Sequence, residues 1–275
     1  MKGTMAEMNG SLLRLLPPVL RARDFRLYTQ GGGRLVDLWQ DGGRAILGHT
    51  PAGVLRELKN SANRGLFAPL PHPQEQRLAR ALAQLLPNRA FRFFADRSAL
   101  DKAGYTGPFP DPAFGDSAAG DSTGPVSLWR PFLDAPPAPI LIPVLPWPLA
   151  PWVLAVDKAL DKDLAPSDPI SPALLAAATR GIYDLIAATE RPVYPKINQV
   201  LYGSPQTQWH CRGIYLTYSP PAKDDTWETL FRRFLEGGFL IPPSAQEPLI
   251  LPSVLSPGEE TKLAALLRAC ISFPA

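Results

Sequence analysis

Apolar side chains in this chain change their spacing from one segment to the next. Within Pro73–Leu86, Leu78, Leu82, Leu85 and Leu86 recur at helical intervals and Pro87 follows, which predicts a helix with one buried face. Pro51–Asn60 has the same rhythm in Val54, Leu55 and Leu58, with proline in its first turn. A long helix is expected after Ser171-Pro172, with Leu175, Ala178, Ile182, Leu185 and Ile186 inward and a stop before Pro192. Asp225 and Glu228 form a capping-box pattern ahead of Trp227, Leu230, Phe231 and Phe234, and Gly237-Gly238 closes that helix. Ser256-Pro257 with Glu259 opens a last helix carrying Leu263, Leu266, Leu267 and Cys270.

Strand signals lie between these helices. Phe25, Leu27 and Thr29 alternate, and Leu35-Val36 follows a glycine turn. "AFRFFA" at 90–95 reads as a buried strand, as do Pro139–Leu145 and Trp152–Val156, joined by a proline-rich turn. Further strands are expected at 196–202, 209–218, 238–241 and 248–254. Strands and helices alternate at both ends, so the class is α/β, with an α+β arrangement for the smaller part. The 33 prolines keep these elements short, and 104–126, rich in Gly, Pro, Asp and Ser, reads as a loop.

Composition narrows the function classes. A chain of 275 residues buries one large core or two modest ones. A net charge of +3 with no Lys/Arg stripe argues against nucleic acid. Residues 135–156 are uncharged over the length of a membrane helix, but seven of them are proline, which excludes a continuous helix. The two cysteines, Cys211 and Cys270, make no disulfide framework and no metal-ligand spacing, and the opening "SLLRLLPPVLRARDF" lacks a secretory signal, so a cytoplasmic protein is expected. His210 and Cys211 are adjacent on an expected strand and face opposite ways, so they form no dyad. No G-x-S-x-G elbow or Gly-x-x-x-x-Gly-Lys loop occurs.

Three stretches carry a resemblance to a known family. They are "GRLVDLWQDGGRAILGHTP" at 33–51, the segment 63–103 that begins "NRGLFAPLPHPQEQ", and 171–271, above all "CRGIYLTYSPP" and "FLEGGFLIPP". In this order they resemble class III aminotransferases, which depend on pyridoxal phosphate (PLP), and the second is most similar to the glutamate-1-semialdehyde aminotransferase branch. The resemblance implies a PLP-dependent transferase-like fold. Members have a large central domain built on a seven-stranded, mostly parallel sheet. Only 104–170 lies between the matching ends here, so a truncated, degenerate relative is expected, with most of that domain missing. The expected division is 1–66 as the N-terminal part of a small domain, 67–168 as a remnant of the large one, and 169–275 as the C-terminal part of the small domain.

The resemblance also implies site residues. Asp96, Arg97, Ser98 and Ala99 fall where members bind the cofactor phosphate, but the usual glycine is absent and Asp96 adds negative charge. "PWVLAVDKAL" at 151–160 resembles the strand leading to the Schiff-base lysine and puts Lys158 in that role. Asp157, Asp161 and Asp163 surround it, as in a solvated charged turn. The strand "PILIPVLPWP" lacks the carboxylate that members place under the cofactor ring, and Tyr105 is the nearby aromatic that could stack on it. His49, in the Gly-His-x-Pro turn, reads as structural. The expectation is a protein that does not transaminate, holds no cofactor and acts as a binding or regulatory partner, through another protein or self-association. The rivals are a working PLP enzyme using Lys158, and a small-molecule-binding domain without chemistry.

Overall fold

Phe239 and Leu240 pair in parallel with Val36 and Asp37, joining segments some two hundred residues apart in the chain into one sheet. The structure, a computed structural model, describes residues 12–115, 125–188, 192–203, 207–219 and 223–269, with only the backbone of 161–163. In chain order the elements are β1 (Val19–Arg23), β2 (Arg26–Thr29), β3 (Arg34–Asp37), α1 (Ala52–Asn63), α2 (Gln74–Leu85), β4 (Arg89–Phe94) and α3 (Arg97–Lys102). Then come β5 (Val126–Trp129), β6 (Ile140–Pro143), β7 (Trp152–Asp157), α4 (Pro172–Ala187), α5 (Pro195–Gly203), β8 (Trp209–Arg212) and β9 (Tyr215–Tyr218). The last are α6 (Asp224–Glu236), β10 (Phe239–Leu240), β11 (Leu249–Ile250) and α7 (Pro257–Ala269).

Two compact units result, one from Met1–Gly42 with Glu190–Ala275, the other from Gly43–Thr189. The boundaries differ from the expected 66/67 and 168/169. The reason is packing: α4 lies against α1 and α2, which draws all three into the second unit.

In the first unit β1-β2-β3-β10 form one sheet and β11-β9-β8 another. Trp209, Tyr218, Trp227 and Phe234 meet edge to face beside the second sheet. The expected capping box of the last helix is present: the Ser256 N–H donates to Glu259 Oε2 at 2.8 Å and the Glu259 N–H to Ser256 Oγ at 3.3 Å. Arg26 then reaches across from β2 and donates to both oxygens of Glu259, at 3.0 and 2.7 Å. The Asp225–Glu228 capping box is not formed. Helix α6 begins at Asp224, and Glu228 instead accepts from Arg232 one turn on. The segment 196–202, expected as a strand, is helix α5. Ile197, Val200 and Leu201 are its buried residues, a helical spacing, and Pro195 starts it. Cys270 and residues 116–124 of the expected loop lie outside the described residues.

The second unit is a three-layered α/β structure. Its sheet runs β4-β7-β6-β5. β7 is antiparallel to both β4 and β6, and β6 is parallel to β5, so β4, β5 and β6 point the same way. One face, with Phe93 and Val153, packs under α1, α2 and α4. The other, with Phe94, Ile142 and Leu154, is covered by α3 and by Ala103, Tyr105 and Phe109. The outer edge of β4 is not left bare. Asp168 donates its N–H to Phe93 O at 2.8 Å, and the N–H groups of Phe93 and Ala95 donate to Ser167 Oγ and Asp168 Oδ2.

Candidate functional site

Open α/β sheets receive ligands at the carboxyl ends of their co-directional strands. Here that rim carries Ala95-Asp96 after β4, Arg130 after β5 and Val144-Leu145 after β6. The loop from β6 to β7 turns inward over it. Leu145, Trp147 and Ala150 are 1%, 4% and 4% exposed and belong to the core beneath α1, α2 and α4. Arg44 stacks over the Trp152 ring at 5.1 Å and donates to the carbonyls of Pro148 and Ala150, pinning the loop. Arg97 lies over the same ring at 5.2 Å and over Phe109 at 4.9 Å. Arg130 is buried and bonded to both oxygens of Asp111. Apolar side chains and internal ion pairs therefore make up much of this rim.

The residues expected to hold a cofactor do not come together. Asp96 caps α3: its Oδ1 accepts the Ala99 N–H at 2.8 Å, spending on its own carboxylate a donor that a phosphate would need. Arg97 pairs with Asp101 one turn on, at 2.8 Å. Ser98 is exposed. Lys158 is exposed in the turn after β7. Because β4 and β7 are antiparallel, with Phe94 opposite Trp152 and Arg89 opposite Asp157, Asp96 and Lys158 leave the ladder at opposite ends. At about 3.3 Å per residue those two rungs are roughly 16 Å apart, so one PLP molecule cannot touch both. Near Lys158, Asp157 approaches Arg89 at 3.5 Å, and Arg89 also donates to the carbonyls of Pro139, Ala155 and Ala138. The side chains of Asp161 and Asp163 lie outside the described residues. Tyr105 packs on the sheet face with Phe94 and Leu100, and burial raises its phenol pKa. PLP does not fit this set of residues.

A cleft of about 710 Å³ does open elsewhere in the second unit, beside β4. Phe91 and Arg92 of β4 line it with Ile170 and Leu175, between the loop Pro69–Glu75 and the segment Pro166–Pro169. His72, Glu75, Arg92, Ser167 and Asp168 are its polar residues. His72 and Glu75 lie in the stretch 63–103 quoted above, which gave them no role, and Asp168 lies outside all three stretches. The signal for them in the sequence is the pair of proline-punctuated loops, "APLPHP" and "APSDP". Among the described residues no group of three His, Cys, Asp or Glu side chains is placed to hold a metal, and no helix is long and apolar enough to cross a membrane.

No family model matches the chain. It is similar to an uncharacterised protein of Treponema pallidum, 26% identical over 302 residues that span 91% of this chain and 94% of that one. An uncharacterised protein of Borreliella burgdorferi is 43% identical over 60 residues, 22% of each chain. The solved structures it resembles are PLP-dependent aminotransferases. An omega-transaminase from Sphaerobacter thermophilus superposes with a TM-score of 0.66 at 12% identity, over 98% of this chain and 97% of that one. Ornithine delta-aminotransferase from Plasmodium falciparum gives 0.64 at 11% identity over 98% of both. A glutamate-1-semialdehyde aminomutase from Pseudomonas aeruginosa gives 0.62 at 13%, over 97% and 93%. At these identities the likeness is one of fold. It runs along nearly the whole of each matched chain and so gives no support to the expectation that most of a large domain is missing.

Proposed function

We propose that this chain is a cytoplasmic protein with an aminotransferase-like fold that does not transaminate and acts by binding. One observation carries the reading: Asp96 and Lys158 stand at opposite ends of the β4–β7 ladder. The make-up of the rim supports it, since Leu145 and Trp147 are core residues and Arg130 is paired with Asp111.

The test adds PLP at millimolar concentration to the pure protein, followed by borohydride, peptide mapping and an amino-donor assay. The expected result is no visible absorbance band beyond free PLP, scattered low-level labelling of surface lysines and no turnover. A stoichiometric borohydride-stable label on Lys158, together with amino-donor turnover, overturns the reading.

A further inference from the structure

We propose that the cleft beside β4 is a binding site for a small organic cation, a primary ammonium on an apolar body. The inference rests on the reading that this chain acts by binding. A volume of about 710 Å³ lies within the range of small-molecule sites, roughly 300–1,000 Å³. Part of the lining is apolar: Leu175 and Ile170 are 3% and 8% exposed, and Phe91 of β4 stands with them.

The polar groups decide the sign of the ligand. Glu75 stands in the first turn of α2, and its carboxylate has no partner among the described residues. Asp168 spends Oδ2 on the Ala95 N–H at 3.0 Å, which leaves Oδ1. Arg92, the cation of the lining, already donates Nη1 to Phe91 O at 3.2 Å. The His72 Nδ1 is taken up by the Gln74 N–H at 3.2 Å, so only Nε2 faces a ligand. Two carboxylates against one guanidinium leave the cleft negative, which repels organic anions and concentrates cations. Phe91 adds the attraction of an aromatic ring for an ammonium. Prolines at positions 69, 71, 166 and 169 fix the walls, so little ordering entropy opposes binding.

Three probes of one shape test this: 3-phenylpropylamine, 3-phenylpropan-1-ol and 3-phenylpropionate, titrated into the full chain by ligand-observed NMR. The amine is expected to bind about tenfold more tightly than the alcohol, the worth of one charge-assisted hydrogen bond, and the carboxylate most weakly. Glu75→Gln, a substitution at an exposed position, should remove that tenfold advantage and leave alcohol binding unchanged. An amine no tighter than the alcohol, or an amine advantage that survives Glu75→Gln, overturns the proposal. The PLP experiment reads Lys158 at a different place, so failure here and failure of the proposed function are told apart.

Discussion

Asp111 holds Arg130 with both carboxylate oxygens, Oδ1 to Nε at 2.7 Å and Oδ2 to Nη2 at 2.6 Å, with the two side chains 10% and 4% exposed. The pair stands where β5 ends, and the same Oδ1 caps the turn at Ala113. Removing Asp111 takes both of these charge-assisted bonds from a buried guanidinium. Asp111→Ala should therefore cost about 3–5 kcal/mol in urea denaturation, and the double change Asp111→Leu with Arg130→Met should recover much of that loss. Equal stability of the single variant and the parent would show that water reaches the pair.

Glu259 gives the first unit an acid sensitivity with a definite sign. Burial alone would raise its pKa, but the hydrogen bonds from Arg26 and Ser256 outweigh this and hold the carboxyl at about 2, below the ordinary 4.5. Its charged form is thus favoured by folding. The stability it contributes is complete above the ordinary carboxylate value and is lost as pH falls towards about 2. Glu259→Gln should lower stability at neutral pH and flatten the loss between these limits, as followed by thermal melts in a pH series.

Two helical glycines should respond differently to alanine. A Cβ on Gly181 of α4 would meet Pro146 Cγ at 3.4 Å and Val54 Cγ2 at 3.6 Å, ordinary contact distances. Gly181→Ala should then gain about 0.5–1 kcal/mol from helix propensity. A Cβ on Gly53 of α1 would stand 2.5 Å from Asp184 Oδ2 and 2.6 Å from Arg180 Nε, inside the ion pair those residues form. Gly53→Ala must displace that pair and should show no gain. Melting temperatures of the two variants check the contrast.

Asp96 and Lys158 should also separate in mutation. Asp96→Ala removes the side-chain cap of α3 and should cost about 1 kcal/mol. Lys158→Ala removes an exposed side chain and should stay within about 0.5 kcal/mol of the parent. Chemical denaturation of both measures this; a large loss at Lys158 would reveal a role that its surroundings do not explain.

The elements were legible where spacing and punctuation agreed. Leu78 and Leu82 at helical spacing gave α2, and Ser256 with Glu259 gave the start of α7, because both signals are local. The segment 195–203 is a helix and not the expected strand because a short apolar run fits either period, and Pro195 at its start favours the helix. Class and fold likeness could be read from the quoted stretches. The candidate site could not, since its fate turned on strand direction. Nothing in "PWVLAVDKAL" says that β7 runs against β4, and that single fact carries Lys158 to the far end from Asp96. The cleft was hidden for a similar reason: His72, Glu75 and Asp168 are nearly a hundred residues apart at the extremes and meet only through the edge of β4.

The parallel pairing of Val36 and Asp37 with Phe239 and Leu240 bears on how the polypeptide is made. Residues 43–189 form a contiguous body whose partners are all present once that stretch has left the ribosome. The strands that precede it must wait, with β3 paired to β2 but lacking β10, until some two hundred further residues have been added. Such long-range closure is slow, and during synthesis the waiting edge is the place where a chaperone or a wrong strand meets this chain first.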